Sequence, residues 1–292
     1  MQVKIEQNNA SGWLNGFLGM VIFSGSLPAT RVAVLSFDPL FLTVARASIA
    51  GLFAFLLLGL FKQQRPRGDQ VFSLMIVALG VVVGFPLLTA LALQHVTSAH
   101  SIVFLGLLPL ATAIFGVLRG GERPRPAFWF FSIIGSLLVM SFAFAQGVSA
   151  SLTGDSLMLA AVVVCGLGYA EGAKLSRELG GWQVICWALL LALPVMLATS
   201  LLLIPSSLKA IPLPAWISLA YVSLFSMLIG FIFWYRGLAQ GGIASVGQLQ
   251  LLQPFFGLAL AAGLLHEPVS LLMLATTLGI ILCVAGSRRF AK

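Results

Sequence analysis

Charged side chains are scarce along this sequence, and where they fall limits the chemistry it can do. Of sixteen lysines and arginines, only Arg46 lies inside an apolar run, seven residues past Pro39. A guanidinium roughly 10 Å into a bilayer core roughly 30 Å thick either binds an anionic group such as a substrate carboxylate or is structural, hydrogen-bonding helix-end carbonyls or snorkelling outward. The sequence leaves both open. Seven of the eight acids (Glu6, Asp38, Asp69, Glu122, Asp155, Glu178 and Glu267) fall in tails, loops or helix ends. The eighth, Glu171, stands three residues before Lys174, a spacing that puts both on one helix face and predicts an ion pair. Glu122 and Glu267 read as groups that fix helix ends or loops. With no carboxylate cluster at depth to hold sodium or a permanent cation, the expected solute is neutral, zwitterionic or anionic. His95 and His100 read as surface turn residues, and a five-residue separation makes them a poor metal pair. Cys165, Cys186 and Cys283 are an odd set without paired spacing, so they read as small core residues, and no metal or cofactor is expected.

Neutral groups are better candidates for a solute. Ser245, Gln248, Gln250 and Gln253 precede Pro254, whereas the stretch 145 residues earlier reads His100, Val103, Leu105 and Leu108. One wall is therefore amide-rich and the other apolar. Glutamine donates and accepts, so it can meet ammonium and carboxylate alike. Tyr169, Trp234 and Tyr235 would add an aromatic lining suited to an amphipathic metabolite, or would form an interfacial belt. The cavity candidates are Arg46, Tyr169, Trp234, Tyr235, Ser245, Gln248 and Gln253, with Gln248 the foremost. Pro86, Pro109 and Pro254 interrupt apolar runs, where each frees a carbonyl that protein or a water-lined cavity must satisfy, so they are candidate hinges.

The elements that position these groups follow from composition. Sixty per cent of residues are hydrophobic, 8% are charged, and mean hydropathy is +1.06. Folding cannot hide that much apolar surface from water, so lipid must cover the outside. The runs are long and do not alternate, which selects an all-α membrane protein over a barrel. Ten transmembrane segments are expected near 12–34, 39–61, 70–94, 98–118, 126–147, 155–174, 181–204, 211–235, 243–265 and 269–287. The net charge of +8 is placed for a membrane rather than for nucleic acid: thirteen lysines and arginines collect on one side and only Arg31 and Lys209 on the other. That bias predicts both termini in the cytoplasm. Glycine pairs Gly12/Gly16, Gly80/Gly84 and Gly116/Gly120 would pack helices within the chain or form a homodimer face, so the expected state is monomer or homodimer.

A slide of 145 residues aligns Ala99 with Ala244, Pro109 with Pro254 and Glu122 with Glu267. Five segments precede the middle and five follow, so two inverted five-helix repeats, 12–147 and 155–287, are expected. That plan suits alternating access around a central site. The stretches "VTSAHSIVFLGLLPLATAIFGVLRGGERPRP", from residue 96, and "GGIASVGQLQLLQPFFGLALAAGLLHEPVS", from residue 241, resemble the EamA-type repeat of the drug/metabolite transporter superfamily. So does residues 24–51, with Arg31, Pro39 and Arg46; the second half has Lys174 in the place of Arg31 but nothing matching Pro39 and Arg46. The resemblance implies an inner-membrane exporter or exchanger of small metabolites, commonly amino acids, with a multidrug or other metabolite permease as the alternative. No H-E-x-x-H, no G-x-S-x-G and no histidine beside a deep carboxylate is present, so an enzyme is not expected. A non-transporting membrane subunit is the remaining rival.

The inverted arrangement has a direct test. In a chain freed of its native cysteines, cysteines placed at Arg123 and at Pro268 should react with an impermeant maleimide from opposite faces of the membrane; labelling from one face would remove the inversion.

Overall fold

The computed structural model describes residues 9–96, 98–145, 151–205, 210–257 and 271–291. Glu6, Glu267, Lys209 and positions 258–265 of the ninth expected segment lie outside the described residues. Among those described, the chain is helical and contains no strand. In order come α1 (Asn9–Ser24), α2 (Ser26–Val34), α3 (Pro39–Leu60) and α4 (Gly68–Val77), which runs through a π-helical turn, Ala78–Gly84, into α5 (Phe85–His95). Then follow α6 (Ser98–Leu105), α7 (Leu108–Gly120), α8 (Pro126–Ala145), α9 (Leu152–Leu179), α10 (Gly181–Leu202) and α11 (Leu213–Ala220). A second π segment, Tyr221–Ile229, leads into α12 (Gly230–Gly241), α13 (Ile243–Gly247) and a 3₁₀ turn, Gln248–Leu252; α14 is Leu271–Phe290. Six of these helical stretches are long and apolar enough to cross a membrane: 10–34, 39–60, 68–95, 152–179, 181–202 and 213–241. Leu56, Leu79, Leu118 and Phe130 are among the large side chains left exposed on the outside, where lipid would meet them.

Local sequence explains the ends. The Asp38 carboxylate accepts from Leu40 N at 2.8 Å and Phe41 N at 3.1 Å, and Pro39 supplies a preset φ for the first turn of α3. Ser151 caps α9 through Gly154 N. Each of the three candidate hinge prolines lies at a departure from regular α geometry. Pro86 follows the first π turn within a helix continuous from 68 to 95, Pro109 follows the break between α6 and α7, and Pro254 follows the 3₁₀ turn. After a break, as at Pro109, the missing N–H costs no intrahelical bond. The two π segments end 145 residues apart, at Gly84 and Ile229, although Phe231 stands where the first copy has Pro86. The widened turn therefore does not require the proline.

The tightest seam joins α1 to α12. A β-carbon on Gly237 would come within 2.5 Å of Gly16 N, and one on Gly12 within 2.5 Å of Gly241 N. Backbones meet there because no side chain intervenes, so Gly12 and Gly16 serve contacts within the chain. Elsewhere α3 packs on α10, α8 on α14, and α9 on both α5 and α7.

Gly237→Leu should cost about 1–3 kcal/mol or more by forcing that seam apart. Gly59→Leu, whose side chain would enter open space, should leave thermal unfolding in detergent unchanged.

Candidate functional site

Two cavities lie along the bundle. The narrower, about 40 Å³, is lined by polar groups from six different elements: Thr30 of α2, Arg46 of α3, Thr89 of α5, Tyr169 of α9, Ser226 of the second π segment, and Gln253. Aromatic rings complete its wall, with Phe23 and Phe231 5.1 Å apart and Tyr169 5.9 Å from Phe231.

Arg46 is 6% exposed and reaches across from α3. Its Nη2 donates to Val222 O at 3.2 Å and to Ser226 Oγ at 3.4 Å, while Ser26 Oγ donates to Ser226 Oγ at 2.7 Å. These contacts fix the guanidinium plane at the cavity's edge. They do not exhaust it, since Arg46 Nε has no hydrogen-bond partner, and neither does Thr89 Oγ1. Gln253 Nε2 donates to Phe23 O at 3.2 Å, which ties the helical stretch after the 3₁₀ turn to α1.

The wider cavity, about 350 Å³, opens at the arginine-rich end and is lined by Glu122, Arg123, Arg177, Gln240, Gly242 and Ser245, among others. Glu122 organises it. Gly121, at φ 68°, turns the chain back after α7, and Gly242, at φ 94°, separates α12 from α13. Glu122 Oε1 accepts from Ile243 N at 2.6 Å and from Arg177 Nη2 at 3.0 Å, and Oε2 accepts from Ala244 N at 2.7 Å. One carboxylate thus joins the end of α7 to α9 and to the start of α13.

Trp234, Tyr235 and Leu238 of α12 are fully buried and line neither cavity. The Trp234 ring lies 5.5 Å from that of Tyr169, tilted by 58°, and the Tyr235 hydroxyl donates to Gly168 O at 3.1 Å, a tie between α12 and α9. Gln248 is fully buried in neither cavity's lining, with both amide atoms unpartnered.

Of the residues singled out from sequence, Arg46, Tyr169, Gln253 and Pro86 therefore meet at the narrow cavity. Ser245 borders the wider one, while Trp234, Tyr235 and Gln248 are fully buried and line neither. Thr30, Thr89 and Ser226 were missed, because small hydroxyls scattered through apolar runs carry no periodic signal. Two expectations are corrected. Glu171 pairs with Arg119 Nε at 2.7 Å and accepts from Ser73 Oγ at 2.6 Å, not with Lys174, whose side chain is exposed. The helix turns Lys174 outward while α7 brings Arg119 to the fully buried carboxylate. His100 is buried, not on a surface turn, and pairs with Asp155 at 2.5 Å; His95 is exposed.

Six helices of membrane-spanning length and composition define a multi-pass membrane protein. The chain belongs to the EamA-like transporter family, whose model matches residues 10–144 and again 152–288, and it is a transporter. It is 69% identical to the uncharacterized transporter YdeK of Bacillus subtilis, over 97% of this chain and 98% of that one. A probable terminal-alkyne amino-acid exporter of Streptantibioticus cattleyicolor is 25% identical over 93% of this chain and 92% of its own. A probable amino-acid metabolite efflux pump of Salmonella typhimurium is 31% identical over 53% of each. A solved crystal structure superposes with a TM-score of 0.79 at 19% identity, covering 96% of this chain and 99% of the other, a likeness of fold.

The partner of Glu171 can be checked by mutation. Arg119→Ala should cost about 2 kcal/mol, less than a fully buried pair because Arg119 is 38% exposed. Lys174→Ala should stay within about 0.5 kcal/mol of wild type in thermal unfolding.

Proposed function

We propose that the protein is an inner-membrane secondary transporter that exports or exchanges small amphipathic metabolites, amino acids first among them. In this reading ten membrane helices form two inverted five-helix repeats, 12–147 and 155–287, with both termini in the cytoplasm. The narrow cavity is the solute site in its closed form, and the wider cavity is the vestibule on the cytoplasmic side. Alternating access widens the first and joins it to one face at a time.

The observation that carries this reading is a set of buried polar atoms gathered around one cavity. Arg46 Nε and Thr89 Oγ1 lack partners there, and leaving such groups unsatisfied in a lipid-surrounded interior is costly unless a ligand uses them. The Streptantibioticus and Salmonella relatives, a probable terminal-alkyne amino-acid exporter and a probable amino-acid metabolite efflux pump, support a solute of the same kind. The Glu122 bridge supports a closed cytoplasmic end, since it ties together elements assigned to different repeats. The aromatic wall would also accept amphipathic drugs, so multidrug export is the second reading.

Counterflow in proteoliposomes tests the proposal. Preloaded amino acid should drive uptake of labelled amino acid, and Tyr169→Ala or Gln253→Ala should raise the half-saturating concentration several-fold, about 1 kcal/mol of lost contact. Vesicles that exchange neither amino acids nor amphipathic drugs would overturn it.

A further inference from the structure

Charge bookkeeping at the narrow cavity goes beyond solute size. Among the described residues the acids that form ion pairs are committed elsewhere: Glu171 to Arg119, Glu122 to Arg177 and Asp155 to His100. Asp38 caps α3, and Glu178 accepts from Gln70. None of them lines the narrow cavity, where Arg46 is the one charged residue among those described. A buried guanidinium without a counter-ion is an unfavourable state that an entering anion relieves. Its hydrogen bonds go to one carbonyl and one hydroxyl, both neutral, and Nε remains unpartnered. Thr89, buried at 3% exposure, offers a second unpartnered atom on the same cavity.

We infer that the solute is recognised by a carboxylate, held by Arg46 and Thr89, and that an amino group is dispensable. This rests on the solute-site reading above and narrows it. Guanidinium matches a carboxylate in shape, and its charge strengthens each hydrogen bond formed. The opposite demand is not met, because an ammonium group would find only neutral partners such as Gln253 and Ser226, beside a repelling cation. The apolar remainder of the solute would lie against Phe23, Phe85 and Phe231. The site therefore accepts monocarboxylates with an apolar body, amino acids and N-acylated amino acids among them, and rejects amines and amides of the same shape.

The test uses the purified full chain and a matched probe series: 3-phenylpropionate, N-acetylphenylalanine, phenylalanine, phenylalaninamide and 3-phenylpropylamine, with hexanoate and octanoate as aliphatic acids. Thermal stabilisation and proteoliposome counterflow are both read. Carboxylates should stabilise the protein, whereas the amide and the amine should not. Arg46→Gln should weaken carboxylate binding about tenfold or more, and Arg46→Lys should restore part of it. Thr89→Val, a near-isosteric change, should weaken it several-fold and serves if Arg46 variants fail to fold. A merely structural arginine would alter stability in every variant without changing the order of preference among probes. Binding of the amine as tightly as the acid, carboxylate binding untouched in Arg46→Gln and Thr89→Val, or no stabilisation by any carboxylate would each overturn the inference. Carboxylates that bind through Arg46 but never cross the vesicle membrane would instead overturn the transport reading and leave this one standing.

Discussion

A group buried in a lipid-embedded bundle has no water to fall back on, so every charge and every freed backbone atom must be met by the protein or by what the protein carries. This constraint orders the whole molecule. Glu171, fully buried, is met by Arg119 and Ser73; the Glu122 carboxylate is met by two amides and Arg177. His100 meets Asp155. Against this background of satisfied ions, Arg46 stands apart with neutral partners and one unpartnered nitrogen. Among these buried ionised groups it is the one whose partners are all neutral, and a buried charge in that state is where function is expected.

The irregular backbone follows the same logic. Regular α-helix hides its own carbonyls, whereas a π turn widens the helix and displaces one. The second π segment runs from Tyr221 to Ile229, and it is Val222 O within it that accepts from Arg46. The first π segment precedes Pro86 and Thr89, both on the same cavity. The break before Pro109 and the 3₁₀ turn before Pro254 bring two further departures from α geometry, and Gln253, just past that turn, lines the cavity too. Non-α backbone is tolerated at membrane depth where protein or a cavity takes up the freed groups. Its clustering here gathers these departures from α geometry around the cavity that holds Arg46.

Much of this was legible before any coordinates. Long apolar runs and a single arginine at depth located the bundle and one wall of the cavity, because burial of charge is so costly that Arg46 had few possible uses. Matching prolines pointed to the helix breaks. What stayed hidden is what depends on neighbours distant in sequence. The partner of Glu171 was sought three residues away on its own helix, where spacing is informative, yet it comes from α7, 52 positions off. Gln248 looked like a cavity wall because amide residues cluster before Pro254, but the short 3₁₀ turn rotates it away from the lining while Gln253 stays on it. Thr89 and Ser226 were invisible because a hydroxyl in an apolar helix usually bonds its own backbone, as Ser223 and Ser48 do here.

The Glu122 bridge links this local accounting to motion. Its carboxylate belongs to the stretch after α7, while all three of its donors, Ile243 N, Ala244 N and Arg177 Nη2, belong to the second half of the chain. In the proposed cycle, opening of the cytoplasmic end pulls these halves apart, so three charge-assisted hydrogen bonds break together. Such bonds are individually strong, but at this end they border a wide cavity where water can take over as partner. The cost of opening is therefore set by exchange of partners rather than by exposure of a bare charge. The cavity at Arg46 is far smaller, about 40 Å³ against about 350 Å³, so it offers much less room for water to take over as partner. An anionic solute that enters there supplies the missing partner and moves with it, so that binding energy is spent on the state in which the cavity is filled and the bundle can change over.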